Sequence, residues 1–233
     1  MGRAKARPVA LFLMQRTPIV STTLKLYESS SSPNSRRVRI FLAEKGICVS
    51  RIPIDLAAKE QFTDAYARIN PRRVVPTLVI DDGTAIGEVP AIFRYIEEAS
   101  PNTPLLGTSP KDKALVTMWE RRMELEGFAA VMETVRNKAP GLKERALSGP
   151  HAYAQIPALV ERGRQRVTDF YSDLELRLNE VPFVAGDAFS AADITAVVTV
   201  DFATTGLEMA IPDANGATRH WYERISARAS FGA

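Results

Sequence analysis

The spacing of apolar residues changes once along the chain and divides it into two parts. In the first part, runs with the period of a strand alternate with runs that have the period of a helix. The strand-like runs cover 23–28, 49–55 and 74–86, and the helix-like runs cover 33–45, 59–70 and 90–99. Asp82-Gly83, inside the third strand-like run, is a typical hairpin turn. The predicted order is therefore β-α-β-α-β-β-α.

Beyond this first part only the helical period remains. The segment 100–110 is rich in proline, serine and glycine and is predicted to be a linker. The helix-like runs that follow cover 110–137, 157–178, 189–204 and 217–227. Alternating strands and helices followed by helices alone predict an α/β domain and then a helical bundle. We place an N-terminal extension at 1–21, the α/β domain at 22–101 and the all-helical domain at 108–233.

The net charge comes from the N-terminus. The chain has 233 residues and a formal net charge of +3, but residues 1–16 hold four basic residues and no acidic one. The remainder has 26 basic and 27 acidic residues, a net charge of −1, so we expect no nucleic acid as a partner. No apolar run approaches the ~18 residues of a membrane span, so we expect no membrane partner either.

The basic N-terminal segment has an apolar stretch that is short for an export signal, and no clear cleavage site follows it. We interpret it as an extension that the fold can lose up to residue 20, or as sequence upstream of a start at Met14. The single cysteine, Cys48, excludes an intrachain disulfide and fits a reducing cytoplasm. We expect Cys48 to be a small buried residue. His151 and His220 lie far apart, so neither a metal site nor a Ser-His-Asp triad is expected.

A row of serines, Ser29 to Ser32, lies between the first strand and the first helix. Ser32-Pro33 is a favourable helix start, since serine caps well and proline suits the first turn. Arg36 and Arg37 follow in that turn, where cations oppose the helix dipole. The pattern indicates either an anion site built from hydroxyls, amides and arginines, or a plain cap with solvated arginines. Both interpretations are open at this point.

Two further turns can contribute to a pocket. Val75-Pro76 precedes a strand, and a cis peptide bond there would expose the backbone of Val75 to an extended ligand. Glu88-Val89-Pro90 starts another helix. Two helix starts in one small domain make a shared anion pocket plausible.

Three segments together resemble one family. "LYESSSSPNSRRVRIFLAEKGI", "NPRRVVPTLVIDDGTAIGEVPAI" and "PFVAGDAFSAADI" are similar, in this order and spacing, to the motifs of cytosolic glutathione S-transferases, and the first is most like a bacterial and fungal serine-type subgroup. The resemblance covers roughly residues 22–228. It implies a thioredoxin-like N-terminal domain, an all-helical C-terminal domain, a cytoplasmic homodimer, and glutathione as a cosubstrate that reacts as its thiolate without a metal.

The resemblance also implies roles for individual residues. Ser32 matches the catalytic serine, with Ser30 and Asn34 as alternatives. The positions that match glutathione-binding residues are Gln61 for the glycyl end, Val75 and Pro76 for the cysteinyl part, and Glu88 and Val89 for the γ-glutamyl end. Val89 departs from the family pattern, which has serine there. Tyr27 lies inside the strand and is expected to pack rather than to act on the thiol.

The small electrophile is expected between the domains, with Trp119, Arg122, Glu126 and Phe128 as candidate lining residues. Trp119 and Phe128 have an alternative interpretation as bundle core. Ser190 and Asp193 are predicted to cap a core helix. The leading hypothesis is a glutathione transferase. The alternatives are a glutathione-dependent isomerase, dehalogenase or ether-cleaving enzyme, or a non-catalytic binding module with the same fold.

Overall fold

The computed structural model describes residues 19–233, with side chains from residue 23 onward. The predicted N-terminal extension therefore lies outside the described residues as far as residue 18. The first strand begins at Ile19. Its first residues, Ile19 and Val20, pair with Ile47 and Cys48 of the second strand.

The N-terminal part has the predicted order of strands and helices. Its elements are β1 (Ile19–Glu28), α1 (Pro33–Lys45), β2 (Ile47–Pro53), α2 (Asp64–Ile69), β3 (Thr77–Val79), β4 (Ala85–Ile86) and α3 (Val89–Ala99). One helix was predicted over 59–70. The helix in the structure, α2, is shorter, because a 3-10 turn over Glu60–Phe62 precedes it.

The four strands form one mixed sheet in the order β2-β1-β3-β4. β1 runs parallel to β2 and antiparallel to β3, and β4 closes the predicted hairpin with β3. Successive residues of β1 point to opposite faces. Leu26 is buried in the core that α1 and α3 share, while Tyr27 makes an edge contact with Tyr66 of α2 at 6.2 Å. The sheet is thus covered on both faces, and Tyr27 packs as expected.

The helices of the second part are α4 (Pro110–Arg122), α5 (Ala129–Lys138), α6 (Pro157–Glu180), α7 (Ala191–Leu207) and α8 (Gly216–Ser226). The long helix predicted over 110–137 is a continuous rod, but a π-helical turn over Met123–Phe128 interrupts its α-helical pattern. Within the described residues, no helix is both long and apolar enough to cross a membrane. The fold is a thioredoxin-like α/β domain followed by a helical domain, as predicted.

Helix α7 lies at the centre of the helical domain, and most of its residues are buried. It starts with a capping box. The Ser190 hydroxyl accepts a hydrogen bond from the backbone of the first turn, and the Asp193 carboxylate accepts one from the Ser190 backbone amide. The Asp193 carboxylate also accepts hydrogen bonds from the Val184 amide and the Trp221 indole, both at 2.9 Å. The predicted structural role of this pair is confirmed.

The interpretation of Cys48 as a buried residue is wrong. Cys48 lies on β2, which is an edge strand of the sheet, and its side chain is exposed. The local pattern around Gly46-Ile47 predicts a strand entry correctly, but it carries no information about which strand becomes the edge.

Candidate functional site

A cavity of about 420 Å³ lies between the two domains. One wall comes from the N-terminal domain: the β1–α1 turn, the segment around Gln61, the turn before β3 and the start of α3. The other comes from the π-helical turn, α5, the segment after it and α7. We call these the N-terminal wall and the helical wall. The N-terminal wall includes all six residues implied by the family motifs, namely Ser32, Gln61, Val75, Pro76, Glu88 and Val89.

Ser32 caps α1 and is 8% exposed at the edge of this cavity. Its hydroxyl oxygen accepts a hydrogen bond from the Ser35 amide at 3.2 Å, and Pro33 follows in the first turn. A serine hydroxyl has one hydrogen to donate in addition to the lone pairs it uses as an acceptor. The cap therefore holds the oxygen in place at the positive end of α1 and leaves its hydrogen available to a ligand.

The structure separates the alternatives to Ser32. Ser30 is exposed and lines a second, shallower cavity instead of this one. Asn34 does line the cavity, and its Oδ1 accepts from Arg37 at 3.0 Å, which leaves its amide hydrogens free to donate. Ser31 also lines the cavity, with its hydroxyl 3.2 Å from that of Ser29. The sequence analysis missed Ser31, because nothing in a row of identical residues tells which of them faces inward.

The predicted cap at Ser32 is present, but neither Arg36 nor Arg37 lines this cavity, and Arg37 is not solvated. Arg37 is fully buried and donates to Glu120 at 2.6 Å and to Glu124 at 3.1 Å. Arg36 pairs with Asp201 of α7. The first turn of α1 faces the helical domain, so distant acids in that domain meet its cations. Burial raises the pKa of Glu120, an effect that the charge of Arg37 opposes.

The turn before β3 is held from α2. The Tyr66 hydroxyl and the Asn70 side-chain amide both donate to the Val74 carbonyl, at 2.6 and 3.0 Å. The next peptide bond, Val75-Pro76, is cis, as anticipated. Over residues 19–233, no hydrogen bond uses the backbone N–H or C=O of Val75. The backbone of Val75 is therefore available to pair with an extended ligand.

The start of α3 has an uncommon backbone. Glu88 occupies the N-cap position with φ +60°, and its side chain makes no capping hydrogen bond. Such a conformation costs on the order of 1–3 kcal/mol for a residue other than glycine and is concentrated at functional sites. The Val89 amide lies at the positive end of the helix, and Pro90 after it has no N–H. This geometry offers one directed donor for an anion.

Gln61 adds an unsatisfied acceptor. Its Oε1 atom is buried and has no hydrogen-bond partner among the described residues. Leaving a buried acceptor without a donor costs about 1–3 kcal/mol. Because Gln61 lines the cavity, an N–H group of a ligand could donate to this oxygen, and the side-chain NH2 of Gln61 could donate to a ligand carboxylate. The N-terminal wall thus fits a peptide-like ligand with charged ends.

The helical wall differs from the prediction. Of the four candidates for the electrophile side, Phe128 lines the cavity, whereas Trp119, Arg122 and Glu126 do not. The Trp119 ring lies between the guanidinium groups of Arg122 and Arg177, at 4.6 and 4.3 Å. The π-helical turn lies between α4 and α5, so a regular α-helical spacing does not carry over from one of these helices to the other. The wall residues that the sequence analysis missed are Glu124, Met132, Val135, Arg136, Leu142, Ser148, Gly149 and Phe202.

Two more missed residues, Arg72 and Arg73, bring positive charge to the N-terminal wall. Arg73 donates to the Phe62 carbonyl at 2.8 Å. A signal for both was present, because they are the third and fourth residues of the second family-like segment, which begins at Asn70. No comparable signal marked Arg136 on α5, which lies in a helix without a family motif.

The comparisons with known proteins agree with this geometry. Residues 31–99 match the family model of the glutathione S-transferase N-terminal domain. Glutathione S-transferase 2 of Saccharomyces cerevisiae is 33% identical over 223 residues, which cover 88% of this chain and 86% of that protein. Maleylacetoacetate isomerase of Rattus norvegicus is 32% identical over 72% of this chain and 73% of its own length.

Among solved structures, a glutathione S-transferase domain-containing protein of Marinobacter aquaeolei VT8 superposes with a TM-score of 0.82 at 32% identity. The alignment covers 88% of this chain and 98% of that one. The similarity therefore extends through both walls of the cavity.

Proposed function

We propose, because the chain belongs to the glutathione S-transferase family, that it conjugates the thiolate of glutathione to small electrophiles. The observation that carries this proposal is the gathering of all six motif residues in one cavity, next to a mainly apolar helical wall. The family includes transferases and isomerases, so an enzyme that uses glutathione is the general conclusion, and conjugation is the specific proposal.

In this proposal glutathione lies along the N-terminal wall. The cysteinyl backbone pairs with the free backbone of Val75 beside Pro76, and the γ-glutamyl carboxylate accepts from the Val89 amide. Glu88 meets the γ-glutamyl ammonium, and Gln61 meets the glycyl end. The loss of the family serine at Val89 removes a hydroxyl but keeps the amide. Three features support this placement: the unpartnered Gln61 oxygen, the unpaired Val75 backbone and the uncapped start of α3.

Ser32 is the proposed partner of the thiolate. A free thiol has a pKa near ~8.5, so little of it is ionised at neutral pH, and lowering that pKa by ~2 takes about 2.7 kcal/mol. A hydrogen bond to a charged group contributes ~1.5–3 kcal/mol. The end of a helix adds ~0.3–1 kcal/mol. The hydroxyl of Ser32 and the N-terminus of α1 together are sufficient for this shift.

The reaction that follows is a substitution. The thiol proton passes to solvent when glutathione binds, and the thiolate sulfur then attacks the electrophilic carbon. A C–S bond forms and the leaving group departs with its electron pair, so no oxidant or reductant takes part. Binding both reactants in one cavity accelerates the step by proximity.

An isomerase is the second candidate, and the relative that favours it is the rat maleylacetoacetate isomerase. In that chemistry the thiolate would add to a conjugated double bond and leave again after rotation. The same N-terminal wall would serve. Dehalogenase, ether-cleaving and non-catalytic roles have no observation in their favour beyond the shared fold.

We further propose that the protein acts in the cytoplasm as a homodimer, which is typical of the family. Sedimentation at micromolar concentration should give twice the chain mass of 25.6 kDa. A single species of one chain mass would contradict the dimer without affecting the rest of the proposal.

The experiment that tests the proposed function is capture on glutathione-agarose, followed by conjugation assays with 1-chloro-2,4-dinitrobenzene. Capture with conjugation supports a transferase. Capture with isomerisation of a cis-enedione, but without conjugation, favours the isomerase. Capture with neither reaction indicates a binding module, and failure to bind glutathione contradicts the whole proposal.

A further inference from the structure

Arg136 is a cavity residue whose guanidinium group has no acidic partner among residues 23–233. It lies on α5 and lines the cavity from the helical wall. Its Nη2 donates to the Leu147 carbonyl at 3.1 Å, while its Nε is buried without any partner in the described part of the chain. No carboxylate between residues 23 and 233 forms an ion pair with it.

Arg136 is partly buried, and the two arginines that are buried in the described part of the chain have acids beside them. Arg37 pairs with Glu120, and Arg39 pairs with Glu28 at 2.7 Å. This is the usual arrangement, because a buried charge without a counter-charge is costly. Arg136 departs from it, at the one place on the helical wall where a guanidinium faces the cavity.

The charges around Arg136 do not supply the missing anion. Burial, and then the nearby charge of Arg145, lowers the pKa of Arg136. Two acids line the cavity, but Glu124 already accepts from Arg37 and Arg121. The other, Glu88, is exposed on the N-terminal wall. Arg72 and Arg73 add further positive charge to the lining.

We propose that Arg136 binds a carboxylate carried by the electrophile, so that the enzyme prefers electrophiles with an apolar body and an anionic group. This inference rests on the proposed function, since it names the substrate class of the same cavity. A guanidinium is the side chain best matched to a planar carboxylate. Met132, Val135 and Phe202 line the cavity with Arg136 and would contact the apolar body.

The electrophile is a better source of this carboxylate than glutathione itself. The positions that would bind glutathione all lie on the N-terminal wall, where Arg72 and Arg73 also line the cavity and could meet its glycyl carboxylate. Arg136 lies on the opposite wall, among apolar residues. The two sources predict different kinetics. Replacing Arg136 would change the affinity for glutathione only if glutathione, and not the electrophile, supplied the carboxylate.

The test compares 4-chloro-3-nitrobenzoate with 1-chloro-2,4-dinitrobenzene. Opposite the chlorine, the first compound has a carboxylate and the second has a nitro group. In both reactions the thiolate forms a C–S bond while chloride leaves with its electron pair. Each kcat/KM is divided by the uncatalysed rate with glutathione. The wild-type protein should accelerate the benzoate more. Arg136→Met should lower the kcat/KM for 4-chloro-3-nitrobenzoate by about tenfold or more, which is the loss expected for a charge-assisted hydrogen bond. The kcat/KM for 1-chloro-2,4-dinitrobenzene, which is neutral, should fall by less than about threefold.

The matched control is Arg162→Met, the same change at an exposed arginine that pairs with Glu133. It should leave the ratio of the kcat/KM values for the two substrates unchanged. Arg136→Lys keeps the charge but loses the planar fork and should fall in between. Equal losses on both substrates, a change in the KM for glutathione alone, or a wild-type protein that does not favour the benzoate would overturn the inference.

Calorimetry with 4-chloro-3-nitrobenzoate in the absence of glutathione separates this inference from the proposed function. Binding to the wild type that Arg136→Met abolishes supports the carboxylate site even if no conjugation occurs, in which case only the proposed function has failed. No binding to the wild type at millimolar concentration overturns the inference even if the neutral electrophile is conjugated. The wild-type measurements decide the question should the variant fail to fold.

Discussion

The two walls of the cavity are built in different ways. The N-terminal wall consists mainly of turns and helix starts, and it lines the cavity with small residues such as Ser32, Val75 and Val89 as well as the longer side chains of Arg72 and Arg73. The helical wall consists mainly of long side chains carried by helices, such as Phe128, Met132 and Arg136, and the segment after α5 completes it. The first kind of wall suits a constant ligand, since backbone geometry tolerates few changes. The second can vary with the substrate, because side chains can be exchanged without moving the backbone.

Arg37 joins the two walls, and its replacement should have the largest effect. From α1 its side chain donates to Asn34 on the N-terminal wall and to Glu124 on the helical wall, and it pairs with buried Glu120. Arg37→Met leaves that acid unpaired and should lower the free energy of unfolding by about 3–5 kcal/mol. Denaturant titration measures the loss.

Arg94→Met is the control for this prediction, because Arg94 forms an exposed ion pair with Glu98. It should cost no more than ~1 kcal/mol. Adding Glu120→Gln to Arg37→Met should restore part of the stability, since the uncompensated charge is removed. An Arg37→Met protein as stable as the wild type would show that the walls are held together elsewhere.

Ser32→Ala tests the N-terminal wall alone. Losing a hydrogen bond to the thiolate should raise the pKa of bound glutathione and slow conjugation at neutral pH by about tenfold or more. The pKa of the bound thiol is then higher, so the loss should shrink as the pH rises and the thiolate forms unaided. Titration of the thiolate absorbance measures the shift. The lost cap should also cost ~1 kcal/mol of stability.

Ser30→Ala is the matched control, since Ser30 is exposed and outside this cavity. In this variant the thiol of bound glutathione should have the same pKa as in the wild type. If folded Ser32→Ala also titrates as the wild type does, the assignment of Ser32 is wrong, and Ser31→Ala and Asn34→Ala become the next variants to measure.

Gly127→Ala tests the helical wall. A Cβ atom at Gly127 would lie 2.5 Å from the ring of Phe170, so the π-helical turn that carries Phe128 would have to shift. Overpacking of this kind costs about 1–3 kcal/mol. We expect lower stability and a changed KM for the electrophile, with an unchanged pKa of bound glutathione. Gly141→Ala, where a Cβ meets nothing within 4 Å, is the control. A shifted thiol pKa in Gly127→Ala would show that the walls are not independent.

Deletion of residues 1–18 should have the smallest effect on either wall. The deletion ends there because Ile19 and Val20 pair with β2. We expect the melting temperature and the affinity for glutathione to stay as in the full chain, since the segment adds basic charge but no periodic pattern. A melting temperature several degrees lower would show that the segment packs on the fold.

The order of strands and helices, the hairpin and the capping box were all predictable from the sequence. Each depends on residues close together in the chain. Ser32 lies next to the proline that starts its helix, and Asp193 lies three residues after Ser190. The turns of the N-terminal wall could be located for the same reason, whereas the roles of its residues, Gln61 among them, were implied by the family resemblance.

Only the tertiary structure decided which side chains face the cavity. Arg37 meets Thr195, which lies 158 positions away, so no local pattern reveals that this cation is buried between domains. Cys48 is exposed because β2 is at the edge of the sheet. Arg136 on α5, and not Arg122 on α4, lies on the helical wall. Caps and turns follow from neighbours in sequence, whereas the direction of a side chain on a helix follows from what packs against that helix.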